Sequence, residues 1–121
     1  PCRRDIHDTL VSYEVPHRGG KDLPLSRAEI SVLQARVVGI RGTGSAALSL
    51  AYVAAGRFDA MVCRNIKPWD IAAGVLLVRE AGGFVSDPDS EKNPLETGNI
   101  LATNADLLPQ FKDALGKARE K

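Results

Sequence analysis

The segment from Ser45 to Ala55 constrains this chain more than any other. Ala46, Ala47, Leu48, Leu50, Ala51, Val53 and Ala54 make it a helix that is apolar on nearly every face. Such a helix is buried on more than one side, so the fold must pack other elements around it. Gly42 and Gly44 break the chain before it, and Gly56 is placed to stop it just past its C-cap.

The remaining elements supply that packing. Thr9 to Val15 alternates loosely and is β-prone until Pro16 ends it as a strand. Val37 to Ile40, Phe58 to Val62, Phe84 to Ser86 and Ile100 to Thr103 are short apolar runs that read as strands. Ser26 with Glu29 three residues on forms a capping-box pattern, predicting a helix from there to about Ala35. Pro68-Trp69-Asp70 opens a helix that runs to Ala81 and stops at Gly82-Gly83. A closing amphipathic helix from Leu107 to Ala118 places Leu108, Phe111, Leu115 and Ala118 at helical spacing. His17 to Pro24 and Asp87 to Gly98 are polar loops. Strands alternating with helices predict an α/β fold, a mixed sheet with helices packed on its faces. At 121 residues, 44% of them hydrophobic, one real core is feasible.

Charge narrows the partners. Sixteen basic residues face fifteen acidic ones, for a net charge of +1, which gives no global attraction to nucleic acid or an anionic membrane. No stretch approaches the roughly 20 apolar residues of a spanning helix. Pro-Cys-Arg-Arg-Asp at the start does not resemble a signal peptide, so the expected compartment is the cytoplasm. Cys2 and Cys63 do not make a disulfide framework, and His7 and His17 are not at zinc-site spacing from them.

Two segments can carry chemistry. Gly42-Thr43-Gly44-Ser45-Ala46-Ala47, between a strand and a helix, fits the dinucleotide fingerprint literally. The fingerprint then needs an acid at the end of the next strand. Asp59 stands at the start of that strand and Cys63-Arg64 at its end, so a nucleotide-binding module is disfavoured. What survives is that exposed amides at Gly44, Ser45 and Ala46 can bind an anion or a polyol hydroxyl. Equally, small residues there let the helix pack closely on the sheet. In Lys67-Pro68-Trp69-Asp70, the aspartate is either a partner for the helix dipole or a ligand for Mg²⁺. Gly20-Lys21-Asp22 lacks the spacing of a P-loop, and Arg18 and Lys21 read as part of an exposed basic loop.

Four runs come in one order: Gly44-Ser45-Ala46-Ala47-Leu48, then Ala51-Tyr52-Val53-Ala54-Ala55-Gly56-Arg57, then Pro68-Trp69-Asp70-Ile71-Ala72-Ala73-Gly74, then Glu80-Ala81-Gly82-Gly83. Thr97-Gly98-Asn99-Ile100 and Asn104 follow. Together they closely resemble the C-terminal half of the inositol monophosphatase family, particularly its bacterial branch. The resemblance is tightest from about Val37 to Ser86.

The resemblance implies Mg²⁺-dependent hydrolysis of a small sugar or polyol phosphomonoester by metal-activated water. It makes Asp70 a metal ligand and places the amides of Gly44, Ser45 and Ala46 along the sugar-alcohol pocket. Cys63 falls at a substrate-contacting position where many members carry a glutamate. A thiol is a poor replacement for that acceptor, which argues against inositol monophosphate as preferred substrate. Ser49 stands where bacterial relatives often carry aspartate.

The family's Glu-Glu pair and its Asp-Pro-Ile/Leu-Asp-Gly-Thr segment, which bind most of the metal, do not occur here. Residues 1–121 are therefore expected to form a single C-terminal α/β domain, inactive alone, whose partners are the N-terminal half of the same enzyme and a further copy of itself. The alternative is a catalytically dead half-domain acting as an interaction or dimerisation module.

Overall fold

The computed structural model describes residues 3–14 and 23–120. The loop expected at His17, with Arg18 and Lys21, lies outside those residues, as does Cys2.

Among the described residues, five strands and five helices alternate. They are β1 (Leu10–Glu14), α1 (Leu23–Gln34), β2 (Gly39–Arg41), α2 (Ala46–Ala54), β3 (Ala60–Cys63), α3 (Pro68–Glu80), β4 (Phe84–Ser86), α4 (Pro94–Thr97), β5 (Ile100–Thr103) and α5 (Leu108–Arg119). A single 3₁₀ turn, Ile6–Asp8, precedes β1 and is capped by the Asp5 side chain. The strands form one mixed sheet in the order β2-β1-β3-β5-β4. β1 runs parallel to β2 and β3, and β5 runs antiparallel to β3 and β4.

Side chains alternate across a strand, so each strand serves two cores. On one face Val11, Tyr13, Val62 and Leu101 pack against Leu33 of α1 and Phe111 and Leu115 of α5. On the other, Met61, Cys63, Ile100 and Ala102 pack against Leu50 and Val53 of α2 and Ile71, Val75 and Val78 of α3. Each of the fully buried aliphatic and aromatic side chains stabilises the fold by about 1.5–3 kcal/mol relative to exposure. The result is three layers, with α1 and α5 on one side of the sheet and α2 and α3 on the other. The expected α/β sandwich is what forms.

Helices α2 and α3 also lie against each other, and Gly74 permits the approach. A Cβ built on Gly74 would stand 2.6 Å from Leu50 Cδ1 and 2.7 Å from Leu50 Cβ. α2 is thus covered by the sheet and by α3, as its composition requires. Its outward side is not covered: Ala47 and Leu48 are exposed, as are Trp69, Leu76 and Leu77 of α3, the helix packed against it.

Three local expectations need correction. Ser26 does not cap α1, which starts at Leu23 and leaves Ser26 and Glu29 inside the helix, both fully buried. Glu29 points at an ion pair instead of the helix start. β2 begins two residues later than expected, because the Val37 amide closes the end of α1 on Leu33 O and Val38 is exposed. The polar stretch after β4 contains a short helix, α4, capped by Asn93.

Candidate functional site

The turn from Gly42 to Ser45 joins β2 to α2. Ser45 caps α2, its hydroxyl accepting from the Leu48 amide at 3.2 Å. Beyond β1 in the sheet, β3 ends at Cys63 and residues 64–67 lead into α3. That connection is held from below: the Asn65 amide donates to Asn99 Oδ1 at 3.0 Å and the Ile66 amide to Gly98 O at 2.8 Å. Pro68 sits in the first turn of α3, with Asp70 beside it.

These two connections place the N-termini of α2 and α3 on one open pocket of about 280 Å³, lined by Gly44, Ser45, Ala46, Ala47, Ile66 and Asp70. Both helix ends carry the positive end of a dipole and amides without intrahelical partners, which favours an anion or hydroxyl between them. Asp70 adds one exposed carboxylate to that rim. The structure therefore brings Gly44, Ser45, Ala46 and Asp70 together.

The roles of the amides differ from expectation. The Gly44 amide donates to Glu14 Oε2 at 3.2 Å, and the Ser45 amide donates to Thr43 Oγ1 at 3.1 Å. Those two groups are engaged within the chain. Ala46 and Ala47, the first residues of α2, have amides without a partner among the described residues, so they are the donors the pocket can offer.

Cys63 is not brought to the pocket. It is 4% exposed, sits in the core with Leu50 and Ile71, and its Sγ lies 3.8 Å from Arg64 O. Burial, with the carboxylates of Glu14 and Asp70 adding to it, pushes the thiol up to about 12. A protonated, enclosed thiol has neither the exposure nor the acceptor strength of a substrate contact, so that expectation is withdrawn.

Two polar clusters were not anticipated. Glu14, at the end of β1, receives donors from Thr43, Gly44, Ser12 and Ser49. Burial opposes its charge, but these donors outweigh it and hold the carboxyl below its usual range. On the opposite face of the sheet, buried Arg64 donates from Nε and Nη2 to both oxygens of Glu29 at 2.8 and 2.7 Å. Its Nη1 and Nη2 reach both oxygens of Asp89 at 2.8 Å. Tyr13 donates to Glu29 and Arg119 to Asp89. Arg64 was visible in the sequence only as the residue after a strand, and Glu29 only as half of a capping pattern.

Whether a metal fits is decided by the donor set. Asp70 is the pocket's one carboxylate, and no group of three or more His, Cys, Asp or Glu side chains among the described residues is arranged to hold a cation. The chain offers one ligand, not a complete metal site. Among the described residues no helix is long and apolar enough to cross a membrane.

A three-layer α/β half-sandwich, with two helix N-termini and one aspartate converging on a polar pocket, is the class of fold and site that this chain presents. Comparison with known proteins gives the family. The family model for the inositol monophosphatase family matches residues 5–121, and the chain belongs to that family. It is 39% identical over 114 residues to an inositol-1-monophosphatase of Rhizobium meliloti (strain 1021), covering 94% of this chain and 43% of that protein. It is 40% identical over 122 residues to the Nus factor SuhB of Escherichia coli (strain K12), covering 98% of this chain and 46% of that protein. The solved structure of the extragenic suppressor protein suhB from Bartonella henselae superposes with a TM-score of 0.90 at 40% identity, over 96% of this chain and 44% of that one. The chain spans less than half the length of these relatives, so its fold is a part of theirs. Their names are not all phosphatase names. The family fixes the fold, and the expected exclusion of nucleic acid is not carried beyond the charge balance.

Proposed function

We propose that this chain serves as the C-terminal part of a Mg²⁺-dependent phosphatase acting on a small sugar or polyol phosphomonoester, and does not turn over alone. The observation that carries this is the shared pocket of Asp70 and the α2 N-terminus.

In this reading Asp70 contributes one carboxylate to a cation, and the other ligands come from the preceding half of the same enzyme. Mg²⁺ is held by carboxylates with waters and phosphate oxygens, which suits one aspartate from this chain beside carboxylates from the other half. When bound, the metal supplies activation of water and stabilisation of the leaving oxygen. The chain's own residues orient the substrate. The Ala46 and Ala47 amides and the Ser45 hydroxyl donate to the hydroxyls or phosphate presented across the pocket, and Ile66 provides an apolar wall.

The face formed by Leu48, Trp69, Leu76 and Leu77 is where the preceding half docks. Trp69 is 75% exposed and Leu76 59%, a concentration of apolar surface that single soluble domains cover. The length of the relatives supplies the occupant: more than half of each lies outside the matched region. The same face supports a second reading, a module that pairs with a further copy of itself.

Phosphate release from a panel of sugar and inositol phosphates by the full-length protein, with and without Mg²⁺ and with Asp70→Asn, tests the proposal. Magnesium-dependent turnover lost in the variant is expected. Folded full-length protein with no turnover on any phosphomonoester would overturn it in favour of the interaction module.

A further inference from the structure

Glu14 is a buried carboxylate that no step above uses. It ends β1, is 8% exposed and faces the α2 layer together with Ser12. Its Oε1 lies 2.9 Å from the Thr43 amide, 3.1 Å from the Thr43 hydroxyl, 3.1 Å from Ser12 Oγ and 2.8 Å from Ser49 Oγ. Its Oε2 lies 3.2 Å from the Gly44 amide. Hydroxyls of Ser12 and Thr43 also stand 2.8 Å from Ser49 Oγ, so the donors are themselves linked.

Every hydrogen-bond partner of this side chain is a donor, and they come from three places: β1, the turn and the first half of α2. A charged acceptor is what such a set requires, since charge-assisted bonds are about twice as strong as neutral ones. Within itself the turn is tied by Thr43 Oγ1, which lies 2.8 Å from Ser45 O and accepts from the Ser45 amide at 3.1 Å, but it is Glu14 that takes the Thr43 and Gly44 amides. Gly44 has φ of 81°, a left-handed conformation that side chains resist, and a Cβ there would meet nothing within 4 Å. Without the carboxylate, the amides of Thr43 and Gly44 lose their partner and the turn loses its anchor to the sheet.

We propose that Glu14 is a positioning residue for the pocket: its carboxylate pins the Gly42–Ser45 turn to β1 and so fixes the Ala46 and Ala47 amides opposite Asp70. It does not touch substrate. It acts through the backbone that lines the site. The catalytic consequence rests on the phosphatase reading above, whereas the anchoring of the turn does not. Glutamine keeps one acceptor oxygen for the Thr43 amide and the hydroxyls but turns its NH₂ toward the Gly44 amide, and loss of the charge weakens the bonds that remain, so neutralisation loosens the turn. Aspartate at position 49 would return a carboxylate to the same spot, because Ser49 Oγ already lies in contact with Glu14 Oε1.

The test uses the full-length protein as wild type, Glu14→Gln, Glu14→Gln with Ser49→Asp, and Glu14→Asp. Two readouts are taken: amide hydrogen exchange at Thr43 and Gly44, and KM against kcat for phosphomonoester hydrolysis. Glu14→Gln should speed exchange at Gly44 by about tenfold or more over the β1–β3 core, as expected for a lost hydrogen bond to a charged group, and by less at Thr43, whose bond passes from a carboxylate to a neutral carbonyl. KM should rise severalfold with kcat nearly unchanged, and the double variant should return both toward wild type. Unchanged exchange at Thr43 and Gly44 overturns the proposal, as does loss of kcat at constant KM. If Glu14→Gln does not fold, Glu14→Asp decides, because it draws the carboxylate back from the turn by one methylene: faster exchange at the two amides supports the anchor and no change refutes it. If no variant or wild type hydrolyses a phosphomonoester, the phosphatase reading fails while the exchange result still decides the anchor.

Discussion

The ion pair beneath the sheet gives the sharpest stability prediction. Glu29 is fully buried in α1, and Arg64 is buried at the end of β3. Replacing Glu29 with methionine removes both carboxylate oxygens that Arg64 Nε and Nη2 engage and deprives the Tyr13 hydroxyl of its acceptor. Arg64 keeps Asp89, so its charge is half paired and not orphaned. Breaking a buried pair from one side costs about 3–5 kcal/mol, and the remaining Asp89 contact argues for the lower end. That is a large share of the roughly 5–15 kcal/mol that holds an ordinary domain folded. Removing both charges is different. With Glu29→Met and Arg64→Met together, no uncompensated charge is left inside, and Asp89 retains Arg119 at 2.5 Å. The double variant should therefore be less destabilised than the sum of the single ones by about 0.5–3 kcal/mol, the range for groups in direct contact. Urea unfolding followed by far-ultraviolet circular dichroism measures all three. Trp69 is too exposed to report on this core by fluorescence. A Glu29→Met cost under about 1 kcal/mol, near the value of an exposed pair, would refute the reasoning. So would strict additivity in the double variant.

Two further outcomes follow. Glu14 and Asp89 both have carboxyls held below their usual range, Glu14 by its donors against burial and Asp89 first by the Arg64 hydrogen bonds. A depressed folded value means stability that is present above the unfolded pKa of about 4 and lost as pH falls through the folded one. Thermal unfolding should accordingly show stability falling from about pH 4 downward, and Glu14→Gln should make that fall shallower. On the apolar face, this chain without its preceding half should self-associate in sedimentation experiments. Trp69→Gln with Leu76→Gln should shift it toward monomer, whereas a surface change at Arg27 on the opposite layer should not.

The fold was largely legible because its signals are local. Short apolar runs read as strands, and the small-residue helix between Gly44 and Gly56 appears where its composition required it. Asp70 was legible for the same reason, since a proline-initiated helix announces its first turn. What escaped was set by contacts distant in sequence. Glu29 three residues after Ser26 looks like a cap, and only the approach of Arg64, 35 positions away, shows that it faces inward. Gly44 looks like a donor to a ligand until Glu14, 30 positions earlier, is found occupying its amide. Cys63 lies at a strand end near the site in sequence, but strand alternation turns it into the core beside Ile71.

The most direct test of the central claim is to locate the cation without relying on turnover. Mn²⁺, which takes the same carboxylate and water ligands as Mg²⁺, broadens nuclear resonances near its site. Titrated into the isotopically labelled full-length protein, it should broaden amides at Ala46, Ala47, Ile66 and Asp70 and leave Lys117 of α5, across the sheet, untouched. Asp70→Asn should weaken that pattern strongly. Broadening centred elsewhere, such as at Asp87 to Glu91, or a pattern indifferent to Asp70→Asn, would contradict a metal held at this pocket.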